Sequence, residues 1–598
     1  MKTRRMLILF ALGLGLALAV LWLLCGGTAP ATAAPAYRPL HTPGDVITVC
    51  LSGGCDYTSV QAAVDAAGDG DVIKVAAGTY TDVHVRPRND ITTTGVVTQV
   101  VYVSKTVTIR GGYTTTNGFA DPPDPEANPT TLDAQGQGRV FYIVYNTNST
   151  IEGLRITGGD ATGLGGGWDG SWSHDAGGGL YLYRINNATL SNNIIISNTA
   201  PHDGYGGGVF LRFGNATLIS GNTIVCNTAG DRGGGLYLYY GGATLNNNTI
   251  TANTAYDGGG LYLVGWPTLS GNTIAANTAR NGGGLYLIHG AATLNNNTII
   301  SNTADNGGGL FLQQSDATLS GNTVTFNTAD AGGGLYLQDS DAMLNGNTIV
   351  SNSAGDDGGG LFLFVSDATL SNNTVISNTA GDDGGGLFLE QSDDILNGNT
   401  ITANTAGGSG GGLFLRMSDA ALINNVVTDN QANTTGSGLY IVWGSSPHLL
   451  HNTIARNTGG DGSGVYVTEY IWSSIYSTVS MTNTILVSHT VGITVTVGNT
   501  ATLEATLWNG NTTDWGGAGT INHSNDYIGD PAFVNPDAGD YHIASGSVAI
   551  DTGVDTWVST DIDHEPRFYG DPDLGADEYW PPGALKRIYL PVVLRQYQ

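Results

Sequence analysis

The sequence predicts an all-β chain coiled as a single-stranded parallel β-helix solenoid of three sheets, and three observations predict it. The phrase Gly-Gly-Gly-Leu-(Tyr/Phe)-Leu, or a degenerate form of it, recurs twelve times between Gly177 and Val467. Its copies begin their apolar part at Leu180, Val209, Leu236, Leu261, Leu285, Leu310, Leu335, Leu361, Leu387, Leu413, Leu439 and Val465, mostly 25 or 26 residues apart. Each copy, as from Leu310 to Gly334, holds three short alternating apolar stretches separated by Gly, Asn, Asp and Ser turns, with no helical period. A unit this small cannot bury its own apolar face and must stack on its neighbours. Pairing each strand with its counterpart one turn on gives a rise of roughly 4.8 Å per turn.

Strand alternation assigns the faces. In the first strand of the copy the two aliphatics share a face, and the residue two beyond the aromatic is often polar, as at Arg212, Gln313, Gln338, Glu390 and Arg416. The aliphatics are therefore expected inside and the aromatics outside. In register, Tyr286, Phe311, Tyr336, Phe362, Phe388 and Phe414 form the centre of an outward stripe. Asp305 and Asp330 precede that strand and Asp316, Asp341, Asp367, Asp393 and Asp419 follow it. An exposed aromatic floor with polar rims suits sugar rings, so these six residues are the candidate ligand-binding set; the alternative reading is a ladder of stacked aromatics that stabilises the sheet exterior, or a stripe covered by a loop.

Two Asn columns run through the turns, one through Asn297, Asn322 and Asn347 and the other through Asn302, Asn327 and Asn352. Stacked amides bond along a column and satisfy backbone groups that a bend leaves unpaired, so the columns are read as structural ladders.

Copies such as Asn272 to Leu285 resemble the FxxN and GGA(I/L) repeat of chlamydial polymorphic membrane proteins and, more broadly, the right-handed β-helix shared with pectin lyases. The resemblance covers about half the chain. It implies a right-handed coil and a secreted or cell-surface setting, while the twelve copies themselves predict about twelve regular turns with irregular end rungs.

The N-terminal part reads as an export leader. Met1 to Arg5 is basic, Met6 to Cys25 is apolar, and small residues follow to Ala36, which predicts a signal peptide over 1–34 and a linker over 35–45. An uncleaved anchor is the other reading of the same apolar run. Export permits disulfides, and Cys50 and Cys55, bracketing Leu-Ser-Gly-Gly, are expected to form one. Cys226 stands where other copies carry Ala276, Ser301 and Ser351, and reads as a packed thiol.

Residues 46–176 read as an N-terminal cap and irregular first rungs. Ser59 is placed to cap a short amphipathic helix with Val60, Ala63 and Val64 inward, ended by Gly68 and followed by the strand Val72 to Val75. This resembles the helix-then-strand cap that opens many pectin-lyase-like β-helices. Gly78 to Asp82 is similar to the GxYxE phrase of pectin methylesterases, with none of that family's catalytic phrases after it. The Gly- and Trp-rich insertion 158–176, with His174 and Asp175, is a long loop where function or mere covering are the two readings.

Residues 177–467 are the regular repeats and 468–529 wider terminal rungs. Residues 530–580 resemble the ending of the choice-of-anchor Q group of surface β-helix proteins, through Asp530-Pro-Ala-Phe-Val-Asn-Pro, Asp561-Ile-Asp-His-Glu-Pro-Arg567 and Asp573-Leu-Gly-Ala-Asp-Glu-Tyr579. That resemblance implies an exported protein with a sorting or attachment signal in the tail 581–598. Asp561, Asp563, Asp573 and Asp577 are dense enough for Ca²⁺; turn and ion-pair use with Arg567 is the alternative.

Charge and composition bound the function. With 50 acidic against 21 basic residues and a net charge of -29, nucleic acid is excluded as a partner. No lyase phrase is present. The adjacent acids Asp356-Asp357 and Asp382-Asp383 recur in step with the repeat, which reads as turn use, so no catalytic residue is assigned. The expectation is a non-catalytic β-helix that binds polysaccharide or a cell-surface glycan, reached by the membrane only through a leader or anchor. The alternative is a polysaccharide lyase or glycoside hydrolase on the same fold.

Overall fold

The computed structural model describes residues 44–88, 95–145, 147–168, 173–469, 475–567 and 570–581. The leader, most of the linker, part of the 158–176 insertion and the tail lie outside them. The chain is a parallel β-helix solenoid with almost no helix and about 17 turns, against about twelve regular ones expected. It forms two compact units, Met1–Tyr237 and Leu238–Gln598, which divide inside the regular repeats.

In the first unit the helix spans Val60–Ala66, with Ser59 Oγ accepting from the Ala62 amide at 3.5 Å and Val60, Gln61, Ala63 and Val64 buried. Beside it Cys50 and Cys55 are disulfide-bonded, their Cα atoms 5.8 Å apart. Cys226 lies half-buried at a left-handed turn. Strand Val46–Val49 pairs in parallel with Val72–Ala76, which pairs with Thr108–Tyr113. A second stack runs Val96–Val103, Arg139–Val144, Leu180–Tyr183, Val209–Arg212.

The second unit shows the repeat at its most regular. One turn comprises Leu310–Ser315, Thr318–Ser320, Thr323–Thr325 and a two-residue strand Thr328–Ala329 that was not expected. Each stacks in register on the next turn: Leu310 on Leu335, Leu319 on Leu344, Val324 on Ile349, Thr328 on Ser353. Leu310, Leu312, Leu319 and Val324 fill the interior, as alternation predicts.

The corners explain the Asn- and Gly-rich composition. Between the second and third strands one residue takes a left-handed conformation, Asn296, Gly321, Gly346, Asn372 or Gly398, which Gly and Asn tolerate best. The next residue is the ladder Asn of the first column; the Asn of the second column follows a left-handed residue after the third strand, as Asn327 follows Phe326. Asn327 Nδ2 donates to Asn352 Oδ1 at 3.0 Å and to the Ile299 carbonyl at 3.0 Å. Its Oδ1 accepts from the Asn302 amide at 2.9 Å and from Asn302 Nδ2 at 3.0 Å. The second column ends where His489 replaces Asn and Asn457 Nδ2 lies 3.3 Å from its Nε2. A further column, Ser315, Ser340, Ser366, Ser392, Ser418 and Ser445, is fully buried, and Ser315 N donates to Ser340 Oγ at 2.9 Å.

The expected exposure of the aromatic stripe is corrected. Tyr286, Phe311, Phe362 and Phe414 are buried and Phe388 is 1% exposed; Tyr336 is half-buried. The cause is the solenoid's own spacing. Rings one strand apart lie face to face, with centroids 5.1 Å apart for Tyr286 and Phe311 and 4.7 Å for Phe388 and Phe414, and planes within 3° and 6°. The Gly-rich turn closes one flank, where a Cβ on Gly384 would stand 2.9 Å from Phe388 Cβ. The strand's next outward residue closes the other, as Tyr286 Oη donates to Gln313. The aromatics do point outward, but their faces are occupied by one another.

At the far end, residues 527–579 return along the outer side of the last turns. Tyr541, Ile543, Ala549, Leu574 and Ala576 share a core with Val426, Ala455, Ile485, Val487 and Leu507.

Candidate functional site

Partly exposed aromatic rings stand one corner away from the buried column. In eight turns the residue four beyond the first aliphatic of the first strand, within the strand or just after it, is left-handed: Tyr240, His289, Gln314, Asp339, Val365, Gln391, Met417 and Trp443. Most of these are polar or aliphatic. At the start of the second unit the corner is aromatic instead. Tyr240 is 45% exposed and packs edge-on against Tyr239, their centroids 4.4 Å apart. Trp266, on the following turn, is 60% exposed. Its indole leans over Gly242, where a Cβ would come within 2.9 Å of Nε1, so Gly is what lets the ring lie flat there. Sequence reasoning missed this pair because it followed the repeat phrase. The available signal was two large aromatics in turn positions that other copies fill with Gln, Asp or His.

The opposite edge of the same strand stack is acidic. Asp357, Asp382 and Asp383 bring one carboxylate oxygen each to within 4.8 Å of one another. The turn amides hold them: Asp357 Oδ1 accepts from Asp383 N at 3.0 Å, and Asp383 Oδ1 from Ser409 N at 2.6 Å. Burial pushes Asp357 up to about 6 and Asp383 up to about 7, with the charge of Asp382 adding to both. The turn use expected of these acids is present, and so is a cluster that the repeat alone did not announce.

The 158–176 insertion closes on itself in the first unit. Gly166–Trp168 and Ser173–Asp175 pair as an antiparallel hairpin. Asp175 accepts from the amides of Gly163 at 2.8 Å and Gly165 at 2.7 Å, and the His174 ring tilts against Tyr205 at 4.7 Å. Fully buried Arg139 donates to the carbonyls of Ala176, at 2.7 Å, and Gly165, and covers the Tyr181 ring. His174 and Asp175 thus brace a cover over Tyr181.

The four acids expected to bind Ca²⁺ do not converge. Asp561 Oδ1 accepts from Asp563 N at 3.0 Å and Glu565 N at 2.7 Å, while its Oδ2 accepts from Glu578 N at 3.1 Å. Asp573 takes the amides of Asp551 and Tyr579, both at 2.7 Å. Burial pushes both carboxyls up to about 6. Arg567 fills the middle of this segment, donating to the carbonyls of Gly575 at 2.9 Å and Ala576 at 2.7 Å and to Asn424 Oδ1 at 3.0 Å, with Glu578 at 3.4 Å. Only Asp563 and Asp577 come together, and His542 joins them.

A family profile described as "Right handed beta helix region" matches residues 89–299, 260–431 and 357–526. No curated protein matches the chain. Three solved structures are similar at low identity. A crystal structure of pectate lyase Pel9A is 11% identical with a TM-score of 0.20, covering 90% of this chain and 97% of that one. DFA-IIIase from Arthrobacter chlorophenolicus A6 in complex with GF2 is 10% identical with a TM-score of 0.29, over 62% and 85%. The catalytic unit of thermostable GH87 alpha-1,3-glucanase from Streptomyces thermodiastaticus strain HF3-3 is 12% identical with a TM-score of 0.23, over 83% and 70%.

Proposed function

The chain belongs to the right-handed β-helix family, and from that premise we propose that it is an exported, non-catalytic glycan-binding protein of the cell surface or its surroundings. The observation that carries the reading is the pair Tyr240 and Trp266 on adjacent turns, 45% and 60% exposed. Sugar rings stack their C–H faces on such surfaces, and the strands Thr244–Asn246 and Thr268–Ser270 that follow the two residues pair in register, which lowers the ordering cost of binding. The basic and apolar start of the sequence supports export.

The test is binding of the full chain to a glycan array and to insoluble polysaccharides, with Tyr240→Ala and Trp266→Ala alongside. Loss of binding with an unchanged melting transition supports the reading. Equal retention by wild type and double variant overturns it.

A second reading, glycoside hydrolysis, is favoured by one observation, the Asp357, Asp382 and Asp383 cluster. A carboxyl that burial raises to about 7 beside further carboxyls is the kind of group that general-acid cleavage of a glycosidic bond uses. Reducing-end release from a polysaccharide panel, abolished in Asp383→Asn, is the result that would replace the first reading with this one.

A further inference from the structure

We propose that His542, Asp563 and Asp577 form a binding site for one divalent cation of the zinc or manganese class, which ties together three separate stretches of the returning C-terminal segment. The three residues come from strand Asp540–Ile543, the turn at 561–565 and the stretch 573–579. Each offers one ligand atom, and these atoms lie within 4.8 Å of one another. Metal–ligand bonds of about 2.0–2.2 Å place tetrahedral ligand atoms roughly 3.3 Å apart, so an ion fits with small side-chain adjustments.

Charge counting asks for a cation here. His542 Nδ1 lies 2.6 Å from Asp540 Oδ1 and Nε2 lies 2.9 Å from Asp563 Oδ2, so both ring nitrogens face carboxylates. With one ring proton given to Asp540, the Nε2 lone pair faces an anion unless a positive charge stands between them. A second ring proton supplies one charge against three carboxylates, since Asp577 is also present. Asp577 is only 8% exposed, accepts a single hydrogen bond among the described residues, from Ile543 N at 2.7 Å, and pairs with no Lys or Arg there. Buried carboxylates are otherwise paired or metal-bound.

Access and ligand chemistry agree. A shallow cavity lined by Gly539, Tyr541, His542, Ile562 and Asp577 opens onto the cluster. Asp540 behind the imidazole matches the carboxylate that orients metal-binding histidines. One nitrogen and two carboxylates favour a borderline transition ion over Ca²⁺, which takes six to eight oxygens.

The experiment titrates ZnCl₂, MnCl₂ and, for contrast, CaCl₂ into the chelator-treated full chain by calorimetry, with His542→Ala and Asp563→Asn. Asp563 is exposed, so its variant keeps the fold, which circular dichroism checks. Expected are one equivalent of zinc or manganese per wild-type chain, a raised melting temperature on loading, and at least tenfold weaker binding in both variants. No saturable binding, tighter binding of calcium than of the other two ions, or undiminished affinity in the folded Asp563→Asn variant overturns the proposal.

Discussion

Phe362 and Phe388 lie face to face on consecutive turns, their ring centroids 4.8 Å apart and their planes within 6° of parallel. That distance is the strand spacing of a sheet, so any outward aromatic repeated in register must either stack or splay. Here it stacks. Phe388→Ala should destabilise the second unit by about 3–5 kcal/mol, the range for removing a buried Phe. Denaturant unfolding measures it, and glycan binding by the still-folded variant should be unchanged.

The ladders should be as intolerant as the core. Asn327→Ala removes an acceptor for Asn302 and a donor to Asn352 and Ile299 in a place without solvent. Each group left buried without a partner costs roughly 1–3 kcal/mol. Asn327→Asp should be no rescue, since the carboxylate cannot donate. Equal unfolding midpoints for the Ala variant and wild type would remove the ladder's energetic role.

Asp394 should be a stabilising target. It occupies an inward column otherwise filled by Ala292, Ala317, Ala342, Ala368 and Ala420, in register. Its Oδ1 accepts from Ala368 N at 2.7 Å, while Oδ2 is buried with no partner among the described residues. Burial raises its carboxyl well above the usual range. Asp394→Ala should raise the unfolding midpoint at neutral pH, worth about 1–3 kcal/mol for relieving an unsatisfied buried group.

Stability should fall as pH rises through the acidic range. Asp357 and Asp383 titrate near 6 and 7 in the folded chain but near 3.9 when unfolded, so the unfolded state releases their protons first. Their contribution is full below about pH 4 and is lost by about pH 7. Asp383→Asn removes its share. The melting temperature of the variant relative to wild type should therefore rise between pH 4 and pH 8; a flat difference would contradict the assignment.

The repeat made the solenoid, its strand positions and both Asn columns legible, because each depends on one turn meeting an identical turn. Alternation also placed the aromatics on the outer face correctly. It could not say that this face is covered, since cover comes from the ring one turn away, the Gly-rich turn and side chains such as Gln313. The corner pair Tyr240 and Trp266 was readable only as a departure from the pattern.

The C-terminal segment shows the limit most clearly. Its acids were visible as a dense group, yet Asp561 and Asp573 are spent on amides, while Asp563 and Asp577 meet His542 across more than twenty residues of sequence. By itself the sequence determined what a period can carry: the fold class, the inward residues and the ladder positions. Only the tertiary structure decided which outward side chains are open and which carboxylates converge, because those depend on segments that repeat nothing and on the path by which residues 527–579 return along the last turns.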